Sequence, residues 1–169
     1  MRKFEVRHQK QVRKSGSEMR VAMFSWESLH SIRVGSVAAH VTELAAALER
    51  LGNEAHVFTR MGHGQLWYEV IDGVHYHRCP FDLNPDFVQE MNNMCRSFAW
   101  HFFETENVAG HFIIHGHDWM TANALAEVRN VRGKRAVFTL HSTGAVRQCL
   151  LRRAIAAYSG LGMVRWLRR

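Results

Sequence analysis

Hydrophobic and polar positions along this chain form blocks that predict alternating strands and helices. An apolar block over residues 20–25 predicts a buried strand, and a polar loop follows it. Residues 37–51 repeat apolar positions at spacings of three and four, which predicts an amphipathic helix. Gly52 and Asn53 are typical of a helix end, and residues 54–59 predict the next strand. This order predicts a parallel βαβ unit with a right-handed crossover.

The second half of the chain continues the same order. Residues 67–77 predict a hairpin that turns at Asp72-Gly73. Residues 84–106 predict a helix with Pro85 in its first turn. The remaining predicted elements are a strand at 111–115, a helix near 120–130 and a strand at 136–140. The pattern as a whole predicts one three-layer α/β domain, Rossmann-like, with a mostly parallel sheet.

Two sets of side chains in this half have a structural and a functional interpretation. His75 and His77 fall on one side of a strand, and a two-histidine metal site would need a third ligand that the sequence does not show. We therefore favour an exposed strand face for them. An apolar stripe on the long helix is interpreted as core rather than as a cofactor site. It consists of Phe87, Met91, Met94, Phe98 and Phe102.

The net charge of +7 is carried by the two ends of the chain. Residues 1–20 hold seven Lys/Arg and two Glu, residues 144–169 hold six Arg and no acid, and residues 21–143 hold nine basic and 13 acidic residues. Nucleic-acid binding needs a basic face on the folded domain. We interpret the ends as solvated tails and expect no specific nucleic-acid partner. The rival interpretation is a protein that associates with nucleic acid or membranes through its ends.

The cysteines and the hydropathy pattern favour the cytoplasm. Cys79, Cys95 and Cys149 are odd in number and lack metal-ligand spacing. No apolar run reaches the ~18 residues of a membrane span, and no apolar core of a secretory signal follows the basic N-terminus. We therefore expect a cytoplasmic protein without a transmembrane segment.

The candidate functional side chains are concentrated where predicted strands end. Three polar clusters lie there: Ser25-Trp26-Glu27, His115-Gly116-His117-Asp118-Trp119 and His141-Ser142-Thr143. The carboxyl ends of parallel strands meet at one edge of a sheet, where α/β proteins bind ligands. Gly35, just before a helix, adds backbone N–H groups suited to a phosphate or a sugar oxygen. Dinucleotide-binding and P-loop glycine motifs are both missing from the sequence.

These segments carry a family resemblance. Residues 19–143 resemble the N-terminal half of a retaining GT-B glycosyltransferase of the glycogen/starch-synthase-like kind, glycosyltransferase family 4 type. The matching segments are MRVAMFSWE, the glycine loop with HVTELAAALERLGNEAHVFTR, HGHDWMTANALA and VFTLHST. Their combination is more specific than any one of them.

The resemblance implies one half of a two-domain hexosyltransferase that moves glucose or a similar sugar from a nucleotide-sugar to an acceptor glycan. It implies that His117 is the catalytic-cleft histidine near the transferred sugar. It implies substrate-binding roles for Arg33, Gly35, Ser36, Asp118 and His141. The nucleotide-sugar is a co-substrate, and neither a metal nor a cofactor is expected. The C-terminal, donor-binding GT-B domain is expected to be missing, which predicts a truncated chain that is inactive alone.

One loop residue departs from that family, and one alternative function stays open. The family usually has Gly-Gly where this chain has Gly35-Ser36, and the Cβ of Ser36 hinders a close phosphate approach or a positive φ. The alternative is a stand-alone Rossmann-like module that binds carbohydrate or phosphate.

The two ends differ from the middle of the chain. Residues 1–18 are basic, polar and unpatterned, which predicts disorder. Met19 is a plausible true start with an over-read leader before it, and an ordinary flexible tail is the alternative. After Thr143 the resemblance stops. Read one nucleotide downstream, the possible codons of residues 144–148 can encode G-R-C-G-N, and those of 158–165 can encode I-R-D-L-E-W-Y-G, both typical of the family.

We therefore expect residues 144–169 to be a frame-shifted, aberrant basic tail. The alternative is a genuine basic amphipathic helix for a membrane surface or a partner, because Leu150, Leu151, Ile155 and Leu161 form a weak apolar pattern.

Overall fold

The computed structural model describes residues 19–110 and 112–141, and every structural statement below refers to these. The strands are β1 (Arg20–Ser25), β2 (Glu54–Arg60), β3 (Tyr68–Ile71), β4 (Val74–Cys79), β5 (Ile113–His117) and β6 (Ala136–Thr139). The α-helices are α1 (Ser36–Arg50), α2 (Phe87–Ala109) and α3 (Ala122–Arg132), and one 3-10 turn spans Trp119–Thr121. The predictions for residues 1–18 and 142–169 concern segments outside the described residues.

The strands form one sheet in the order β3-β4-β2-β1-β5-β6. Every neighbouring pair is parallel except β3 and β4, which form the predicted antiparallel hairpin. The hairpin turns at Asp72 and Gly73, whose φ angles of 52° and 84° are those of a tight primed turn. The mostly parallel sheet is therefore confirmed.

Helices cover both faces of this sheet, so the predicted three layers are confirmed. Alternate residues of each strand point to opposite faces. In β1, Val21 and Met23 pack on the α1 side, whereas Ala22 and Phe24 pack on the side of α2 and α3. The aromatic centre of the second side is fully buried and consists of Phe24, Phe58, Phe98 and Phe102.

The start of α2 corrects two predictions. The helix begins at Phe87, because the Asp86 carboxylate caps it by accepting hydrogen bonds from the N–H groups of Val88 and Gln89. Pro85 therefore precedes the helix and is not in its first turn. Phe87 is 44% exposed and is not a core residue, whereas the other four members of the predicted stripe are buried.

The expected exposed face of His75 and His77 is also wrong in part. His77 is buried, because this face of β4 lies under α2. Its ring stacks on Phe58 with centroids 4.5 Å apart, and its Nε2 lies 3.0 Å from His56 Nδ1. Burial lowers the pKa of His77 to about 3 and that of His56 to about 4. His75 is half-buried.

Strand β5 runs two residues further than predicted. It pairs with both β1 and β6 up to its last residue, so His115, Gly116 and His117 all belong to the strand. Gly116 separates the two histidines because a side chain does not fit there. A Cβ would lie 3.0 Å from Thr121 Oγ1 and 3.2 Å from a ring carbon of Phe138.

Candidate functional site

Strands β1, β5 and β6 end level with one another at one edge of the sheet. Ser25 pairs with His117, and His117 pairs with Thr139. Glu27 and His141 each follow two residues after one of these ends. The structure thus gathers the first two polar clusters and His141 of the third at the carboxyl edge, where ligands bind in open α/β sheets, and Ser142 and Thr143 lie outside the described residues.

His117 is fully buried at this edge. Its Nδ1 lies 3.1 Å from Nε2 of His141. Its own Nε2 is buried and has no hydrogen-bond partner among the described residues. Burial, and then the neighbouring His115, His141 and His40, lower the pKa of His117 to about 2. The imidazole is therefore neutral at physiological pH.

Three histidine rings surround His117, and we call His40, His115, His117 and His141 the histidine cluster. Ring centroids are 4.0 Å apart for His115 and His117, and 4.8 Å apart for His40 and His141. His115 Nε2 lies 2.8 Å from Thr139 Oγ1, and burial lowers the pKa of His115 to about 4. Burial also lowers the pKa of the less buried His141.

His40 was not predicted as a site residue. It lies on the exposed, polar side of the helical pattern of α1, where sequence reasoning assigns residues to solvent. The one available signal is its place in the second turn of a helix whose first turn meets the carboxyl edge of the sheet.

Asp118 connects β5 to the 3-10 turn in a strained conformation. Asp118 has a positive φ of 63°, and its side chain is buried. Its N–H donates to the carbonyl oxygen of Thr139, and its carboxylate accepts the N–H of Trp119 at 2.9 Å. The Thr121 hydroxyl lies within hydrogen-bond distance of the carbonyl oxygens of His117 and Asp118. A non-glycine residue of this kind costs about 1–3 kcal/mol and persists where surrounding bonds hold it.

Glu27 occupies the N-terminus of α1. Its buried carboxylate accepts the backbone N–H groups of Val34, at 2.6 Å, and of Gly35. Gly35 has a φ of −149°, which any residue adopts, and Ser36 is the exposed first residue of α1. The Gly35-Ser36 pair therefore imposes no backbone strain. Glu27 was missed, although it stands in one of the three polar clusters.

Arg33 is exposed in the loop between β1 and α1, and no contact with the histidine cluster is found for it among the described residues. Arg60, at the end of β2, is a second basic residue at this edge that sequence reasoning missed. It donates from Nε to the Trp26 carbonyl oxygen at 2.7 Å, and its guanidinium lies 3.3 Å from the Trp26 ring centre. Burial lowers the pKa of Arg60 to about 10.

Three aromatic rings, Trp26, Phe87 and Trp119, form what we call the aromatic row. Adjacent ring centroids are 6.2 Å and 6.0 Å apart, both in edge-to-face geometry. Trp26 follows β1, whereas Phe87 and Trp119 are the first residues of α2 and of the 3-10 turn. Trp26 is half-buried and Phe87 is exposed, so these two rings offer apolar surface to a ligand, whereas Trp119 is buried beneath them.

Comparison with known proteins shows the family to which this chain belongs. A sequence model described as the Glycosyl transferase 4-like domain matches residues 35–169. The chain belongs to this family. The predicted membership among glycosyltransferases is thereby confirmed.

A curated relative and two solved structures extend this result. An uncharacterized glycosyltransferase of Methanocaldococcus jannaschii is 32% identical over 134 residues, which cover 74% of this chain and 31% of the relative. The chain thus spans about a third of that relative's length.

None of the helices in the described part of the chain could span a membrane.

The solved structures are two of sucrose-phosphate synthase from Thermosynechococcus elongatus. One matches with a TM-score of 0.64 and 16% identity over 82% of this chain and 40% of that chain. The other matches with a TM-score of 0.57 and 17% identity over 81% of this chain and 71% of that chain. These likenesses show the Rossmann-like fold of GT-B glycosyltransferases.

Proposed function

We propose that this chain is the acceptor-side half of a retaining GT-B hexosyltransferase of the glycogen/starch-synthase-like kind. It would transfer glucose from a nucleotide-sugar to an acceptor glycan in the cytoplasm, and the transfer step itself would use neither a metal ion nor a cofactor. The observation that carries the proposal is the position of His117. A neutral, buried imidazole lies at the carboxyl edge of the sheet, beside the N-terminus of α1, in a member of a glycosyltransferase family.

The unpartnered Nε2 of His117 supports a role near the transferred sugar. A buried polar atom without a partner is rare and costs free energy. A sugar hydroxyl that reaches this nitrogen would satisfy it, and the exposed His40 is the ring that would have to move aside. A neutral imidazole can hydrogen-bond such a hydroxyl without placing a positive charge beside the anomeric carbon.

The remaining predicted residues take part in our proposal as cleft-lining groups. They are Arg33, Gly35, Ser36, Asp118 and His141. The Nε2 atom of His141 lies within hydrogen-bond distance of Nδ1 of His117. The Asp118 carboxylate accepts the N–H of Trp119 and so stabilises the turn after β5. For Gly35, the Glu27 carboxylate already accepts its N–H, so a donor phosphate would have to displace that carboxylate.

The described residues offer few hydrogen-bond donors or cations that could stabilise the departing diphosphate. Transfer needs donors or cations aimed at the charge that develops on the leaving group. At the N-terminus of α1 the chain presents a carboxylate instead. A second domain would supply the clamp and hold both substrates together, and without it a proximity contribution of up to ~7–11 kcal/mol is lost. We therefore propose that residues 1–169 alone do not catalyse transfer.

The test compares this chain with a completed protein. Purified 1–169 is assayed for glucose transfer from UDP-glucose or ADP-glucose to glycogen or maltooligosaccharides, and we expect no product. The same assay is run on this chain joined to a donor-binding domain encoded further along its gene, where we expect turnover. In the completed protein, His117→Ala should lower kcat/KM by about 100-fold or more.

The matched control is His75→Ala, because His75 lies near the amino ends of the strands, away from this edge. We expect it to leave kcat/KM within about twofold. Robust turnover by 1–169 alone that is lost in His117→Ala would contradict the truncated-transferase proposal.

The aromatic row with Arg60 favours a second candidate function, a stand-alone module that binds carbohydrate or phosphate. Under it, Trp26→Ala would weaken glycan binding by the isolated chain, and no donor-binding domain would be encoded downstream.

A further inference from the structure

We propose that His40, His117 and His141 form a binding site for one divalent transition-metal ion, with Zn²⁺ as the preferred occupant. The proposal shares His117 with the proposed function but does not depend on it, because it concerns binding by the chain itself. It departs from the expectation of no metal, which was drawn from the sequence alone.

The distances between the three side chains carry the proposal. One ring nitrogen of each histidine lies within 4.8 Å of the other two. The His117 Nδ1 and His141 Nε2 atoms are already 3.1 Å apart. In a tetrahedral site with Zn–N distances of ~2.0–2.1 Å, the nitrogens are ~3.4 Å apart. Two ligands therefore stand near the required separation, and the third must move by little more than 1 Å.

His40 is the ligand that can make this movement. It is exposed on α1, so its side chain can change rotamer without disturbing the core. The other two are fixed by the fold, His117 at the end of β5 and His141 just after β6. Three imidazoles with an open fourth position form a donor set that suits Zn²⁺, Co²⁺, Ni²⁺ and Cu²⁺.

Nearby charge favours a cation at this place. Asp118 and Glu27 both act on the His141 ring as negative charges. A divalent ion held by three neutral imidazoles carries its full charge, which these carboxylates would stabilise.

A second group of potential ligands, Glu54, His56 and His75, is less suitable. Glu54 already accepts from Arg20 Nε at 2.8 Å and lies 2.9 Å from His56 Nε2. The His56 and His75 rings are stacked, 4.4 Å apart and within 5° of parallel. Imidazole lone pairs lie in the ring plane, so two stacked rings do not point at one common ion. This group serves as the alternative that the experiment must exclude.

The experiment measures metal binding in the absence of any donor or acceptor sugar. The 169-residue chain is stripped with EDTA, dialysed and titrated with Co²⁺, and the visible absorption of tetrahedral Co²⁺ is followed; Zn²⁺ is then added as competitor. We expect one equivalent of Co²⁺, displaced by Zn²⁺, and an unfolding temperature that rises with Zn²⁺ concentration.

His40→Ala is the decisive variant, because an exposed alanine in a helix preserves the fold. It should lower the Co²⁺ affinity by ~10-fold or more. His63→Ala is the matched control, since His63 is an exposed loop histidine that follows β2 at the same edge, and it should bind Co²⁺ as the unchanged chain does. Unchanged binding in His40→Ala, loss in His75→Ala instead, or no binding by the unchanged chain would each overturn the proposal. None of these outcomes bears on sugar transfer, so the two proposals fail separately.

Discussion

The carboxylate of Glu27 accepts a hydrogen bond from the backbone N–H of Gly35, directly at the N-terminus of α1. The same carboxylate oxygen accepts the N–H of Val34. The N-terminus of a helix carries a partial positive charge that stabilises an anion. A carboxylate of the chain itself therefore fills the place that the sequence suggested for a donor phosphate.

Glu27→Gln should lower the free energy of unfolding by about 1–2 kcal/mol. The amide replaces a charged acceptor of two backbone N–H groups by a neutral one, and charge-assisted hydrogen bonds are the stronger kind. Urea denaturation at pH 7 measures the change. Glu43→Gln, at an exposed position of α1, is the control and should stay within about 0.5 kcal/mol. Equal losses in the two variants would show that the Glu27 carboxylate has no special role.

Deleting residues 1–18 should leave the thermal unfolding of the domain nearly unchanged. The segment has too little apolar surface to pack against a core, and the sheet of the described residues begins with Arg20. Differential scanning calorimetry of the full and shortened chains checks this. A large drop in unfolding temperature on deletion would make the segment part of the fold.

The regular elements were predictable because their patterns are long and periodic. The predicted helix 37–51 differs from α1 by one residue at each end, and the predicted strand 20–25 matches β1. The error at β5 has a physical cause. The two residues that the prediction missed, Gly116 and His117, are not part of an apolar run, but pairing with β1 and β6 on both sides keeps them in the sheet.

The site was predictable only where it depends on strand ends. His117 and His141 follow from the rule that parallel strands end at one edge, and the structure brings them into contact. Arg60 ends the parallel strand β2, so the same rule could have found it, whereas His40 could not be found in this way. The neighbours of His40 at this edge are set by how α1 crosses the sheet, and no local spacing in the sequence encodes that packing.

The codons of the tail provide a test that needs no protein. Residues 144–169 lie outside the described residues, and the family match runs through them to residue 169. If the tail is frame-shifted, its codons read one nucleotide downstream should spell G-R-C-G-N at 144–148 and I-R-D-L-E-W-Y-G at 158–165. Sequencing the gene decides this. Other codons at these positions would end the frame-shift hypothesis and favour a genuine basic helix.

Because several histidines are buried, we predict that the folded chain loses stability in mild acid. Burial lowers the pKa of His56 and His115 to about 4, of His77 to about 3 and of His117 to about 2. Above their ordinary pKa of 6.5, neither the folded nor the unfolded chain binds protons at these rings. As the pH falls below 6.5, the unfolded chain binds them first, so the folded chain loses stability until its own lowered pKa values are reached.

Each such ring contributes a slope of up to about 1.4 kcal/mol per pH unit, so the free energy of unfolding should fall steeply between pH 6.5 and pH 4. His77→Phe should flatten this slope, because the phenyl ring keeps the stacking on Phe58 but has no proton to bind. Urea denaturation at several pH values measures the slope independently of any loss at pH 7. His63→Ala removes an exposed histidine instead and should keep the slope of the unchanged chain. A slope that His77→Phe does not alter would show that His77 is protonated equally in the folded and unfolded states.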